Sequence, residues 1–143
     1  MVNRSITANV SVKDFWNVVV DLDKYPEFVP GVKKIRIEKS EGNKKVVWHE
    51  VALVKTIHYT VELTEEPYKK ITWTLVKGDF MKSDTGWWQF EELGPDSCKV
   101  TYNIDIKFGM LVPKSISDKM TEKNLPQMLE AFKNRAESLA KKA

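Results

Sequence analysis

"KVTYNIDIKFGMLVP" (99–113) sets the terms of the fold. Val100, Tyr102, Ile104, Ile106 and Phe108 alternate with Lys99, Thr101, Asn103, Asp105 and Lys107. That is the period of a strand with one apolar and one wet face. Gly109 ends the alternation, and Met110, Leu111 and Val112 follow as an apolar run without polar partners. The apolar face needs a cover, and the apolar loop needs a reason.

The same period of two runs upstream. From Val32, Ile35 and Ile37 alternate with Lys34, Arg36 and Glu38; "SEGN" (40–43) is the turn and "KKVVWHEVAL" (44–53) the next strand. In "TIHYTVELTE", Ile57, Tyr59, Val61 and Leu63 share one side and His58, Thr60 and Glu62 the other. "EEPYKK" turns the chain, "ITWTLVKGD" aligns Ile71, Trp73 and Leu75, and "TGWWQFEEL" sets Trp88 and Phe90 opposite Trp87 and Gln89. "GPDS" then leads into the strand quoted first. With "VNRSITAN" (2–9) in front, about seven strands joined by short turns are expected, which implies an antiparallel meander.

The helical signals lie at the two ends. Ser11 reads as an N-cap with Asp14 three residues on, and Phe15, Val18, Val19 and Leu22 follow at helical spacing. Pro26 and Pro30 prevent one long helix, so a short second helix or turn is expected near Lys24 to Phe28. Near the C-terminus, Asn124 and Pro126 open a long helix. Leu125, Met128, Leu129, Phe132, Ala136 and Leu139 trace its apolar face, and Gln127, Glu130, Lys133, Asn134 and Glu137 its wet face.

Lengths then decide the cover. Seven strands about 4.8 Å apart make a sheet roughly 30 Å wide. The single long helix is roughly 24 Å long and about 10–12 Å across with side chains. It cannot cover a flat sheet of that width, so the sheet must curl around it. That arrangement tends to leave an apolar gap, the alternative being that the large tryptophan and phenylalanine side chains simply fill the space. Concave apolar sites with a few polar groups are the usual small-molecule pocket. The expected lining is His49, Tyr59, Val61, Trp73, Trp88, Phe90, Tyr102 and Ile104 from the sheet, with Met128 and Phe132 from the helix. Phe28, Met110, Leu111 and Val112 are expected at the entrance, where they would allow transient membrane contact, although three apolar residues do not make an anchor.

Composition narrows the classes. The 143 residues suffice for one domain with a real core, and 42% hydrophobic with 30% charged residues is ordinary for a soluble globular protein. The net charge of +3 comes from scattered lysines with no basic stripe, so no nucleic-acid partner is expected. Cys98 is the single cysteine; it excludes an internal disulfide, suits a reducing compartment, and reads as a small side chain at a strand start. Lys13 and Asp14 interrupt the first apolar stretch, and no apolar run approaches membrane-spanning length, so a cytoplasmic location is expected.

The order of elements resembles the helix-grip arrangement of START-like proteins, the birch-pollen-allergen superfamily. Within it, "DLDKYPEFVPGV" (21–32) and "GWWQFEELGPDSCKVTY" (86–102) are similar to the polyketide cyclase/dehydrase and coenzyme Q-binding branch. The carriers of the likeness are an aspartate followed by Tyr-Pro-x-Phe-x-Pro, and a Gly-x-Trp-x-Phe strand before a glycine-containing turn. The likeness runs from about Val2 to Glu137. It implies that residues 1–143 form a single START-like ligand-binding domain of the α+β class. Its helix-grip fold would be a curved antiparallel sheet of about seven strands wrapped around a long C-terminal helix, with two short N-terminal helices. It also implies an elongated cavity for a lipid, quinone or polyketide-like molecule. Function still has to be argued from the site.

His58 shares the outward parity of Thr60 and Glu62. For His49 the reading depends on the hairpin. A three-residue loop over Glu41, Gly42 and Asn43 sets Ile37 opposite Val47 and turns His49 inward; a two-residue loop over Gly42 and Asn43 sets Ile37 opposite Trp48 and turns Trp48 and Glu50 inward. The first is favoured because it buries valines and leaves Glu50 wet. An inward His49 is a polar handle or a general acid/base. No spacing suggests a metal site, a phosphate loop or a nucleophile elbow, and no cofactor is expected.

Two functions remain: a carrier or chaperone for an apolar molecule, and a polyketide aromatase/cyclase-dehydratase using cavity tyrosine and histidine groups. Cyclases of this family resemble one another in placing arginine, tyrosine and hydroxyl groups along the cavity. Here there are three arginines: Arg36 has outward parity, Arg135 lies on the wet side of the closing helix, and Arg4 is undecided. Tyr59 and Tyr102 can serve as acids, yet each is equally an amphipathic lining residue. Binding without catalysis is therefore the favoured expectation, and no catalytic residue is assigned.

Overall fold

Seven strands make one antiparallel sheet: β1 (Val2–Ala8), β2 (Val32–Glu41), β3 (Lys44–Ala52), β4 (Thr56–Glu66), β5 (Lys70–Gly78), β6 (Met81–Gly94) and β7 (Ser97–Phe108). The computed structural model describes residues 2–52, 55–110, 112–118 and 124–142. In space the order is β1-β7-β6-β5-β4-β3-β2, so each strand from β2 to β7 pairs with its successor and β1 docks on β7. Helices α1 (Val12–Val20) and α2 (Tyr25–Phe28) fill the link between β1 and β2; α3 (Lys114–Asp118) and α4 (Asn124–Lys142) follow β7. This is the α+β helix-grip arrangement; the short α3, after β7, was not expected.

Local chemistry explains the helix ends. The Ser11 Oγ accepts a hydrogen bond from the Asp14 backbone N–H at 3.1 Å, satisfying a donor that the first turn of α1 leaves free. Phe15, Trp16, Val18 and Val19 are then buried. The helix stops at Val20, and Leu22 is buried from a 3-10 turn over Leu22–Lys24. Pro26 sits in the first turn of α2, where its missing N–H costs nothing. On α4, Leu125, Leu129, Phe132 and Ala136 are buried, but Leu139 is 44% exposed, at a groove shared with α1.

The β2–β3 hairpin combines the two registers expected for it. Its loop has two residues, since Glu41 pairs with Lys44 across Gly42 (φ +60°) and Asn43. A bulge at Glu38 then shifts the ladder by one, so Ile37 lies opposite Val47 and His49 is inward and buried. One extra residue in one strand flips every later side chain to the other face.

Aromatic residues weld the sheet to the helices. Phe15 meets Trp88 and Phe90 at centroid distances of 6.5 and 6.2 Å, and Phe132 meets Trp88 at 5.0 Å. Each large side chain removed from water contributes about 1.5–3 kcal/mol. Between β5 and β6 the ladder covers only Lys70–Thr74 against Thr85–Gln89. Beyond it, Leu75 to Gly78 follow β4, while Met81 to Asp84 follow β7. The sheet is parted there, beside the cavity.

Candidate ligand-binding cavity

A cavity of about 180 Å³ lies between the concave face of the sheet, α4 and the α1–α2 link. A hydrocarbon-lined void of similar size, about 150 Å³, is enough to admit benzene. On the sheet side its wall includes His49 on β3, Tyr59 and Val61 on β4, Trp73 on β5, Trp88 on β6, and Tyr102 and Ile104 on β7. From α4 come Met128 and Phe132. Phe90 shares the face of Trp88 but is not on the wall: α1 fills that end, and Phe90 packs edge-on against Trp16 at 5.2 Å.

The residues expected at the entrance disperse. Phe28 is stacked edge-on against Phe132 at 5.1 Å and lines the outer groove between α1 and α4, with the Arg135 guanidinium at 5.1 Å from its ring. Met110 is 94% exposed and Val112 half-buried, and neither lines the cavity. Leu111 lies outside the described residues.

Polar groups are few, and burial governs each one. His49 is 9% exposed and its Nδ1 has no hydrogen-bond partner. Burial lowers its pKa to about 4, against a weaker opposing pull from the backbone at Val47 and Tyr59. The imidazole is therefore neutral at ordinary pH, and it stacks on the Tyr59 ring at 4.6 Å and 7°. Tyr59, Tyr102 and Tyr25 all have their hydroxyl pKa raised, by burial first and nearby negative charge second. The Tyr25 hydroxyl donates to the Val19 carbonyl oxygen.

Sequence reading passed over Asp84. It is 3% exposed, lines the cavity, and accepts a hydrogen bond from Trp73 Nε1 at 2.9 Å. Burial raises its pKa to about 6, opposed by that hydrogen bond. The signal was available, because Asp84 is two and four residues from Gly86 and Trp88 and so shares their inward face. Gly86 has its own reason to be there: a Cβ on it would lie 2.4 Å from Trp73 Cζ2 and 2.3 Å from the Asn103 carbonyl oxygen. The missing side chain lets the indole lie on β6 and reach Asp84. Glu65 also lines the cavity, but its carboxylate holds Lys45 Nζ at 2.9 Å.

Among the described residues the cavity wall contains no lysine or arginine. Arg4 is exposed and bonds the Asn3 carbonyl; Arg36 pairs with Glu38 and lies over Trp48 at 4.7 Å. Arg135 is half-buried, pairing with Glu27 at 3.1 Å instead of facing open solvent. His58, on the convex face, holds Glu50 and Asp79 at 3.0 Å each, and these hydrogen bonds raise its pKa. No group of three or more histidine, cysteine, aspartate or glutamate side chains among the described residues could hold a metal ion.

The sequence model of the family described as polyketide cyclase / dehydrase and lipid transport matches residues 8–133. The chain belongs to that family. Similar curated proteins include a ribosome association toxin RatA of Vibrio cholerae, 29% identical over 141 residues, 96% of each chain. The persistence and stress-resistance toxin PasT of Escherichia coli is 26% identical over 96% of this chain and 87% of its own. Among solved structures, a START superfamily protein from Mycobacterium smegmatis superposes with a TM-score of 0.85 at 20% identity, covering 96% of this chain and 97% of that one. The Zhui aromatase/cyclase from a Streptomyces species gives 0.82 at 18% identity, covering 95% and 92%. These structures share the fold with this polyketide cyclase/dehydrase family member. Among its described residues no helix is long and apolar enough to cross a membrane.

Proposed function

We propose that residues 1–143 form one START-like ligand-binding domain that holds an apolar small molecule between the sheet and α4, as a carrier or chaperone. One observation carries this reading: a largely apolar cavity whose wall includes a buried imidazole with an unpartnered Nδ1. Buried polar groups are normally hydrogen-bonded, so an imidazole left short of a partner on a residue of the cavity wall favours a guest with a polar group beside it. The carrier role extends to a membrane as the place of exchange. Exposed Phe80 and Met110 lie close in sequence to Met81 and Phe108, which line the cavity, and Lys55 Nζ lies 3.7 Å over the Phe80 ring.

Titration of the purified chain with an apolar naphthalene probe tests the reading, alongside native mass spectrometry for a co-purifying ligand. Met128→Trp should fill the cavity and abolish probe binding, whereas the exposed change Gln89→Ala should leave it intact. Absence of binding by the native chain would sink the proposal.

Catalysis is the second reading, favoured by Asp84, a cavity carboxyl poised near pH 6 as a general acid or base should be. Against it stands the lack of any cation on the described wall to stabilise an enolate. Turnover of a polyketide-like substrate, lost in Asp84→Asn, would favour this reading over simple carriage. Ribosome association, which the Vibrio relative's name ascribes to that protein, would be a surface property and gives no account of the cavity.

A further inference from the structure

We infer that the guest carries a protonated amine, whose ammonium sits against Asp84 among the rings of Trp73, Tyr102 and Tyr59. The inference rests on the ligand-binding reading above and assigns the guest's charge. Asp84 faces the cavity with one oxygen bonded to Trp73 Nε1. Among the described residues no lysine or arginine pairs with it, while the other carboxylate on the wall, Glu65, already has Lys45. An ionised carboxylate buried without a counter-charge is costly, and a ligand that brings the missing cation removes that cost.

The surrounding groups suit a cation. Trp73 and Tyr102 lie 5.2 Å apart, and Tyr102 meets Trp88 edge-on at 4.7 Å. Aromatic faces attract ammonium groups, most strongly when water is excluded. Tyr59 and Tyr102 line the same cavity as Asp84. Other titratable groups on the wall do not compete: His49 is neutral, and Tyr25 keeps its proton. A guest carboxylate or phosphate would instead meet Asp84 with no cation between them. The same chemistry makes amine binding weaken as Asp84 gains its proton below about pH 6.

Three probes with one apolar body separate the outcomes: 2-(aminomethyl)naphthalene, 2-naphthalenemethanol and 2-naphthoate, titrated calorimetrically into the full chain. At about pH 8 the amine should bind about tenfold tighter than the alcohol, and the naphthoate weakest. Asp84→Asn should bring amine and alcohol within about twofold of each other, with alcohol binding showing that the variant is folded. Should the variant fail to take the alcohol, the native chain decides, because its amine preference must fade as pH falls through about 6. An alcohol that binds as tightly as the amine would overturn the ammonium inference and leave the ligand-binding reading standing. If none of the three binds, both fall.

Discussion

Two buried side chains in the cavity pull stability in opposite directions with pH. Asp84 moves from 3.8 unfolded to about 6 folded, so the native chain holds its proton more tightly than the unfolded chain does. Its cost is absent below about pH 4, grows from there to pH 6, and stands in full above, at about 3 kcal/mol. His49 moves from 6.5 to about 4, so its cost is absent above pH 6.5 and grows as pH falls, again to about 3 kcal/mol. Between pH 4 and 6 the two slopes offset each other. His49→Gln should therefore lose stability, relative to the native chain, as pH rises across that window, and Asp84→Asn should gain it. His58 does not blur the comparison: its pKa is raised, so the stability it adds is complete below 6.5 and fades only above. Urea unfolding of the three proteins at a series of pH values gives the answer, and parallel profiles would refute both assignments.

At the scale of elements, Asp84 lies on the inward face of β6, one residue beyond the last β5–β6 ladder pair. The backbone ladder stops at Thr74 and Thr85, and the Trp73–Asp84 hydrogen bond is the side-chain link just past that point. Gly86→Ala would drive a methyl group into the indole, so we expect the indole to leave Asp84 and stability to fall by about 1–3 kcal/mol, as overpacking usually costs. The indole N–H signal of Trp73 in an NMR spectrum should move, and its invariance would show that the bond does not depend on the glycine. Strand faces were legible in the sequence because alternation exposes them directly: Tyr59, Trp73, Trp88 and Tyr102 are all inward. The bulge at Glu38 was not legible, because the local residues permit it without demanding it. The inward facing of His49 was reached through a three-residue loop, whereas the chain uses two residues and a bulge. Asp84 was missed for another reason, namely that inward parity was followed for apolar side chains and not for the carboxylate in line with them.

For the whole molecule, the argument from cover depends on widths. A seven-stranded sheet roughly 30 Å across exceeds one helix about 10–12 Å thick, and the excess face is closed partly by α1 and partly by nothing. The aromatic side chains reduce the gap, to about 180 Å³, without filling it. Phe90 departs from the expected wall because the width argument does not say which end the N-terminal helices plug. The opposite end carries two exposed apolar side chains, Phe80 and Met110. Phe80 is 42% exposed at the β5–β6 turn with a positive φ of 61°, a conformation that costs a bulky residue about 1 kcal/mol or more. Gly109 N–H donates to the Phe80 carbonyl at 2.7 Å, which sets Met110 beside it, and Lys55 Nζ lies 3.7 Å over the Phe80 ring. Lys77, Lys82 and Lys107 are exposed on the same strand ends. Exposed apolar side chains with Lys55 over one ring and lysines on the neighbouring strand ends suit an anionic bilayer, where each lysine near the surface contributes about 1 kcal/mol. The chain should co-sediment with phosphatidylserine vesicles more than with phosphatidylcholine vesicles, and less as salt rises. Phe80→Asp with Met110→Asp should abolish that binding while leaving the naphthalene probe in the cavity. Equal sedimentation with both lipids, or none with either, would leave this tip without a membrane role, because an attraction built on charge has to distinguish the two surfaces.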